Sequence, residues 1–147
     1  MRKLLIILPL LLLIVASCQK DDVEPIGLSN YDINMCDGST TLINGKTYHF
    51  YDSGGPYDNY RDNEDYYYKF RAPQGKRVRI QFESFDTEGN YDYLTIDGIN
   101  YDGYNNPGTI YSTYSTWDSL GSFISIRFHS DGSVTYPGWS AIVTAVN

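Results

Sequence analysis

Residues 78–82 read VRIQF, and this stretch shows the pattern that decides the fold. The apolar side chains of Val78, Ile80 and Phe82 alternate with two polar residues. A period of two places apolar side chains on one face of a β-strand, whereas an amphipathic helix would need a period of 3.6. The stretch therefore predicts a strand that is buried on one side.

Other parts of the chain repeat this alternation. Clusters rich in Gly, Pro, Asn and Gln separate the repeats at residues 53–56, 72–75 and 105–108, and most of these residues favour turns. No stretch after residue 18 shows a sustained helical period. Short one-sided strands separated by turns predict an all-β domain, an antiparallel β-sandwich. The further alternating apolar residues are Tyr66, Tyr68, Phe70, Leu94, Ile96, Ile124, Ile126 and Phe128.

The N-terminus predicts export and a lipid anchor. Arg2 and Lys3 precede an apolar run over residues 4–15, which is too short to span a membrane comfortably. The run leads into Val15-Ala16-Ser17-Cys18, which resembles the lipobox of bacterial lipoproteins. That resemblance implies cleavage before Cys18 and acyl chains on this cysteine, and a signal anchor with an incidental cysteine is the alternative.

The residues after the cysteine carry an expectation about location. Gln19-Lys20-Asp21-Asp22 resembles a tag that sends lipoproteins of some Gram-negative bacteria to the outer face of the outer membrane, although a plain acidic linker is the alternative. We therefore expect a lipid-anchored protein of the outer membrane that faces the cell exterior. The expected segments are a signal peptide at residues 1–17, the lipidated cysteine with a flexible tether at 18–30, and one β-sandwich domain at 31–147.

The charge of the chain restricts its partners. It has 11 Lys and Arg against 18 Asp and Glu, a formal net charge of −7. Loss of Arg2 and Lys3 with the signal peptide would leave nine basic residues and a net charge of −9. Such a domain lacks an electrostatic footprint for nucleic acid, so we expect cations, basic groups or neutral surfaces as partners instead.

The candidate catalytic motifs are weak. Asp52-Ser53-Gly54-Gly55-Pro56 resembles the nucleophile segment of chymotrypsin-type proteases, but those enzymes place their histidine far upstream, whereas His49 lies four residues before Ser53. A turn explains the same letters. His49 and His129 each lack a second ligand at zinc-binding spacing. We predict that the protein is not an enzyme, and a small hydrolase with paired carboxylates stays a poorly supported alternative.

Two oxygen-rich loops make a metal site possible. Residues 85–93 join one predicted strand to the next, and residues 128–133 end another. Calcium prefers six to eight oxygen ligands, which such loops can supply, although Asp and Asn also populate ordinary turns. If lipidation uses Cys18, no pair of cysteines remains for an intrachain disulfide, and a bound metal ion could stabilise the small domain instead.

Seven segments of the chain carry a family resemblance: FYDSGGP at 50–56, NY at 59–60, YYYKF at 66–70, VRIQF at 78–82 with Phe85, YDYLTIDG at 91–98, FHSDGS at 128–133 and GWSA at 138–141. In the order and spacing of these segments, from about residue 48 to residue 143, the sequence resembles a CUB domain, particularly the bacterial form. This resemblance implies a jelly-roll-like sandwich of two antiparallel sheets. The chain departs from the family in lacking its usual disulfides and in a shorter loop after Glu88.

The resemblance also implies a calcium site. Carried over position by position, the family's acidic ligands fall on Glu88, Asp92 and Asp131, and Ser133 or a carbonyl beside it would complete the shell. Tyr60 falls where the family's tyrosine supports a ligand. In that family the site receives a basic side chain, typically lysine, from a partner protein. We therefore expect Ca²⁺ as the bound ion.

A Tyr-rich stretch over residues 99–117 fits the family least well. Tyr101, Tyr104 and Trp117 are, with Tyr60, candidate ligand-binding residues, because exposed aromatic rings stack on partners; the alternative is that half of the rings in the stretch belong to the core. Together these features predict a surface-exposed lipoprotein that acts as a calcium-stabilised binding or adhesion module for a protein or glycan. A structural accessory subunit of an outer-membrane complex is the alternative.

Overall fold

A computed structural model of the protein describes residues 30–113 and 121–147. The predicted signal peptide, Cys18, nearly all of the tether, Tyr114 and Trp117 lie outside these ranges. Within them no helix forms, and thus none that is long and apolar enough to cross a membrane. The strands are β1 (Asn30–Asn34), β2 (Gly38–Thr41), β3 (Thr47–Tyr51), β4 (Asp65–Arg71), β5 (Arg77–Asp86), β6 (Tyr93–Ile96), β7 (Ile99–Tyr101), β8 (Thr109–Tyr111), β9 (Phe123–His129) and β10 (Gly138–Val146).

The strands form two five-stranded sheets that pack face to face, which confirms the predicted all-β sandwich. The first sheet has the order β1-β3-β10-β5-β8, and the second has the order β2-β4-β9-β6-β7. All pairings are antiparallel except β1 with β3 and β2 with β4, which are parallel. Alternation of apolar residues specifies the buried face of a strand but not the direction of its neighbour, so the sequence could not predict the parallel edge pairs.

The predicted alternation matches the core. Val78 and Ile80 are fully buried and Phe82 is nearly so, because every second residue in the first half of β5 faces the opposite sheet. The other predicted core residues are buried as well, except Tyr66, which packs against the core while partly exposed. β10 was not predicted as a strand, yet it lies at the centre of the first sheet, between β3 and β5.

An aromatic cluster joins the sheets at one end of the core. Trp139 of β10 lies in the first sheet, and its ring centroid is 5.0 Å from that of Phe128 in the second sheet. Phe50 and Phe85 approach the same indole at 5.7 and 6.5 Å. Each buried ring contributes about 1.5–3 kcal/mol to the free energy of unfolding through the hydrophobic effect, so this cluster stabilises the packing of the two sheets at this end.

The register of two strands decides which loops meet. β6 and β9 are antiparallel, with Tyr93 opposite His129. The residue before β6, Asp92, and the residues after β9 therefore lie at the same end of the sandwich. This pairing brings the two oxygen-rich loops of the sequence together.

Candidate functional site

Three carboxylates meet at that end. Glu88 and Asp92 come from the β5–β6 loop, Asp131 comes from the loop after β9, and each offers an oxygen within 4.8 Å of the others. The residues that the resemblance named as calcium ligands thus lie together in space.

Asp92 is the fixed member of this carboxylate cluster. The residue is 1 % exposed, and both of its carboxylate oxygens are hydrogen-bonded. The hydroxyl of Tyr60 donates to Oδ2 at 2.6 Å, and the amide of Asp131 donates to Oδ1 at 2.8 Å. Hydrogen bonds to an ionised carboxylate are strong, and each oxygen keeps a further lone pair that could bind a cation.

Glu88 is the member of the cluster whose charged form is disfavoured. Its Oε2 is buried and has no hydrogen-bond partner among the described residues. Desolvation raises the pKa of this carboxyl, and the charges of Asp131, Asp92 and Asp62 raise it further. A buried acceptor without a partner is costly, and a divalent cation would give this oxygen a partner while offsetting the repulsion. The donor set, oxygen from three carboxylates, therefore fits a hard cation such as Ca²⁺.

Tyr60 supports the cluster from the interior. Its ring packs edge-on against Phe128 at 5.0 Å, and its hydroxyl also accepts a hydrogen bond from the Glu88 amide at 3.0 Å. Burial and the hydrogen bond to Asp92 raise the pKa of the phenol. Tyr60 is only 1 % exposed, so its side chain cannot offer a surface to a docking partner. Its hydroxyl instead positions the Asp92 carboxylate and the Glu88 backbone.

Hydrogen bonds from two backbone amides hold the loop after β9. The amide of Asn63 donates to the Asp131 carbonyl at 2.6 Å, and the amide of Ser133 donates to Asp131 Oδ1 at 3.0 Å. Ser133 thus contacts the carboxylate cluster through its backbone, while the predicted role of Ser133 as a ligand stays a prediction.

The start of the Tyr-rich stretch packs against the β5–β6 loop. Asp102 Oδ2 accepts from the Asn90 amide at 2.6 Å, and the amide of Gly103 donates to Thr87 Oγ1 at 3.0 Å. A Cβ added to Gly103 would lie 3.6 Å from the Cα of Gly89, so the two backbones are close. No local pattern indicates these contacts, because they join residues of separate loops, 12 and 16 positions apart.

The tyrosines of that stretch divide between surface and core. Tyr104 is 79 % exposed and Tyr111 is 47 % exposed, whereas Tyr101 packs partly against the core. The predicted role of these rings in ligand binding stays a prediction. Trp117, the remaining candidate, lies outside the described residues.

Sequence reasoning missed a second acidic group beneath the first. Asp52 is fully buried, and its carboxylate accepts hydrogen bonds from the amides of Gly54 at 2.7 Å and Trp139 at 3.1 Å. Burial raises the pKa of Asp52 to about 7, and the charge of Glu64 adds to this effect. Ser53 donates to Glu64 Oε2 at 2.7 Å, so the protease-like letters at 52–56 form a hydrogen-bonded turn.

Two five-stranded sheets with a carboxylate cluster at one end define a class of β-sandwich binding domain. The chain belongs to the CUB domain family, whose model matches residues 36–142. This finding confirms the resemblance seen in the sequence. CUB domains are generally binding modules.

The chain is similar to part of a longer curated protein. "Exoskeleton protein RP43" of Riftia pachyptila is 31 % identical over 116 residues, which are 74 % of this chain and 27 % of that protein. The chain therefore spans about a quarter of the length of this curated relative.

Solved structures share the fold. The full extracellular region of zebrafish Gpr126/Adgrg6 matches with a TM-score of 0.63 and 23 % identity, over 76 % of this chain and 15 % of that one. The MASP-1 CUB2 domain, in a crystal structure described as bound to Ca²⁺, matches with a TM-score of 0.55 and 24 % identity, over 72 % of this chain and 98 % of that one.

Proposed function

We propose that this chain is a surface-exposed lipoprotein whose CUB domain uses a calcium ion to bind a partner. The observation that carries the proposal is the convergence of Glu88, Asp92 and Asp131 within 4.8 Å. The buried Glu88 Oε2, which has no hydrogen-bond partner in the described part of the chain, supports it. A domain of the same fold that is described as bound to Ca²⁺ supports it further.

Charge suggests the chemistry of the partner. Three carboxylates carry three negative charges, and one calcium ion would offset two of them. The remaining negative charge would attract a basic side chain, and an ammonium group can donate charge-assisted hydrogen bonds to fixed carboxylates. We therefore propose a partner protein that presents a lysine to this end of the sandwich. The acidity of the chain supports the expectation that nucleic acid is not a partner.

The lipid anchor belongs to the same proposal. Cys18 would carry the acyl chains, and the tether that follows would hold the domain away from the membrane. Surface display would expose the domain to extracellular calcium, where sites with a Kd of about 10⁻⁴ to 10⁻³ M are common. We also propose that the protein binds without catalysing a reaction, since the family consists generally of binding modules.

Calorimetric titration with CaCl₂ tests the metal site. We expect a single site with a Kd of about 10⁻⁴ to 10⁻³ M. Asp131→Asn removes one charged ligand and should weaken binding by at least about tenfold, since about 1.4 kcal/mol corresponds to that factor. Asp32→Asn makes the same chemical change at an exposed residue of β1 and should leave the Kd unchanged. If the protein did not bind calcium at millimolar CaCl₂, the proposal would be wrong.

A capture experiment separates a recognition module from a structural subunit. The purified protein is immobilised and exposed to host extracellular matrix proteins or to solubilised bacterial envelope, with CaCl₂ or with EDTA. Calcium-dependent capture of matrix protein, lost when the lysines of that protein are acetylated, supports the proposed function. Calcium-independent capture of envelope proteins alone would favour the structural accessory role.

A further inference from the structure

A groove lies on the outer face of the second sheet, away from the carboxylate cluster. It has a volume of about 270 Å³. β6 runs from Tyr93, beside the cluster, to the β6–β7 turn at the groove, so the two places lie at different ends of this strand. The residues that line the groove include Tyr67, Thr95, Asp97, Gly98, Ser125 and Arg127.

Tyr67 offers the groove an aromatic surface. The side chain is 56 % exposed, although it lies near the centre of a sheet. Its amide donates to Asp37 Oδ1 at 2.8 Å, and the Arg127 guanidinium lies 5.3 Å from the ring centroid. Arg127 is itself held by two 2.8 Å hydrogen bonds to Asp65. The ring is thus positioned before any ligand arrives, which reduces the entropy lost on binding.

The polar side of the groove is also fixed. Asp97 and Gly98 have φ values of +46° and +87° and form the two-residue turn between β6 and β7. Oδ1 of Asp97 accepts from the Ser125 amide at 2.9 Å, which leaves Oδ2 as a further acceptor. Thr95 donates its hydroxyl to Asn100 Oδ1 at 2.7 Å, so its oxygen can accept but not donate elsewhere.

These groups suit a neutral sugar ring. An aromatic ring can stack on the apolar C–H face of a pyranose, and oriented oxygen acceptors can receive its hydroxyl protons. Asp65 offsets the charge of Arg127, and the carboxylate of Asp97 would repel an anion, so an anionic ligand is disfavoured. A volume somewhat below the roughly 300–1,000 Å³ of sites for drug-sized molecules fits one ring.

We propose that this groove binds one neutral hexose residue of a glycan, with Tyr67 as the stacking platform and Asp97 as the hydroxyl acceptor. The site shares no residue with the carboxylate cluster, so the inference does not depend on calcium. The groove is open, and we expect a Kd of about 1 mM, a binding free energy near −4 kcal/mol.

Amide NMR spectra of the purified protein in EDTA test this site. The probes are the methyl glycosides of glucose, galactose, mannose and N-acetylglucosamine. The concentration of each probe is raised to about 50 times the expected Kd, so that the site is nearly saturated. We expect at least one probe to shift the amides of Thr95, Gly98 and Ser125 saturably. If no probe shifts these amides, or if shifts appear only with calcium present, the proposal is overturned.

Variants assign the effect to the groove. Tyr67→Ala should weaken binding about tenfold through the loss of stacking and buried area. Tyr57→Ala removes an exposed ring outside the groove and should change nothing. Asp97→Asn keeps a residue that tolerates positive φ and should weaken binding several-fold while the fold is retained. Unchanged affinity in both Tyr67→Ala and Asp97→Asn would refute the assignment.

Discussion

The hydroxyl of Tyr60 donates a 2.6 Å hydrogen bond to Oδ2 of Asp92, and both residues are almost fully buried. The Tyr60 hydroxyl oxygen in turn accepts a hydrogen bond from the amide of Glu88. This tyrosine, from the segment before β4, therefore positions the Asp92 carboxylate and the backbone of Glu88 on the β5–β6 loop. The proposed calcium affinity should depend on this hydrogen bond, although Tyr60 itself would not contact the proposed partner protein.

Tyr60→Phe should weaken calcium binding without disturbing the core. The ring still packs against Phe128, but Asp92 loses a donor and the Glu88 amide loses its acceptor. Because a hydrogen bond to a charged group contributes about 1.5–3 kcal/mol, we expect the calcium Kd to rise about 10- to 100-fold. Calorimetric titration measures the change.

Tyr48→Phe is the matched control. Its hydroxyl accepts from the Ile43 amide at 3.0 Å, and its ring is 4 % exposed in the first sheet. This variant should lose stability while keeping the calcium Kd of the wild type. If Tyr60→Phe also kept that Kd, Tyr60 would be a packing residue only.

Stability should fall as the pH rises from about 4 to 7. Burial raises the pKa of Asp52 to about 7, compared with about 3.9 in an unfolded chain. The folded state therefore binds the proton of Asp52 more tightly than the unfolded chain does. The stability that this proton contributes is complete below about pH 4 and is lost as the pH rises through 7. This group could lower the free energy of unfolding by up to about 4 kcal/mol over that range. Glu64, whose pKa burial also raises, acts in the same direction.

Urea unfolding in EDTA at several pH values measures this effect without a contribution from calcium. Asp52→Asn should flatten the decline, because an amide does not titrate. Asp65→Asn serves as control: Arg127 lowers the pKa of the Asp65 carboxyl, so this group cannot cause a decline with rising pH. A decline that persists unchanged in Asp52→Asn would show that Asp52 is not its source.

Gly138→Ala should destabilise the sandwich more than a positive φ alone explains. Gly138 has a φ of +69°, and an added Cβ would collide with Oδ2 of Asp52. The Asp52 carboxylate is held in place by two amides, one on each oxygen. Gly75→Ala is the control, since Gly75 has a φ of +74° with no atom within 4 Å of the added Cβ. We expect Gly75→Ala to lose about 1–2 kcal/mol from backbone strain.

Gly138→Ala should lose at least about 1–3 kcal/mol more in urea unfolding, because overpacking a core costs that much. Equal losses in the two variants would mean that Asp52 moves aside freely.

Cys18→Ser should abolish lipid attachment. A serine has no thiol to acylate, so incorporation of labelled palmitate and recovery in the membrane fraction should both be lost. Cys36→Ser changes the other cysteine and should retain both. Labelling that survives in Cys18→Ser would contradict the proposed anchor. Cleavage of the wild-type protein by protease added to intact cells tests surface display separately.

The sequence predicted the buried faces of the strands well, for a local reason. Residues such as Ile124, Ile126 and Phe128 are two positions apart, and alternation at that distance reports directly on which face is buried. The family resemblance then named Glu88, Asp92 and Asp131 before their proximity was known. The place of β10 at the centre of the first sheet could not be foreseen, because partner choice depends on pairing across the whole chain.

The buried acidic pair shows the limit of sequence reasoning most clearly. In the sequence Asp52 and Glu64 look like ordinary acidic loop residues, and no apolar pattern around them predicts that they are buried. Only the packing of β10 against β3 encloses Asp52 and brings the Trp139 amide to it, 87 positions away. Burial, and with it the raised pKa, is a property of the assembled sandwich.

The sequence by itself thus determined the strand faces, the turns and the acidic character of the domain, because these follow from residue types within a few positions of one another. The tertiary structure alone decided that Asp131, 39 positions after Asp92, donates its amide to that carboxylate. It also decided that Tyr67, Asp97 and Arg127 share one groove. Such contacts depend on strand order and register, which are set by the collective burial of both sheets and cannot be read from local pattern.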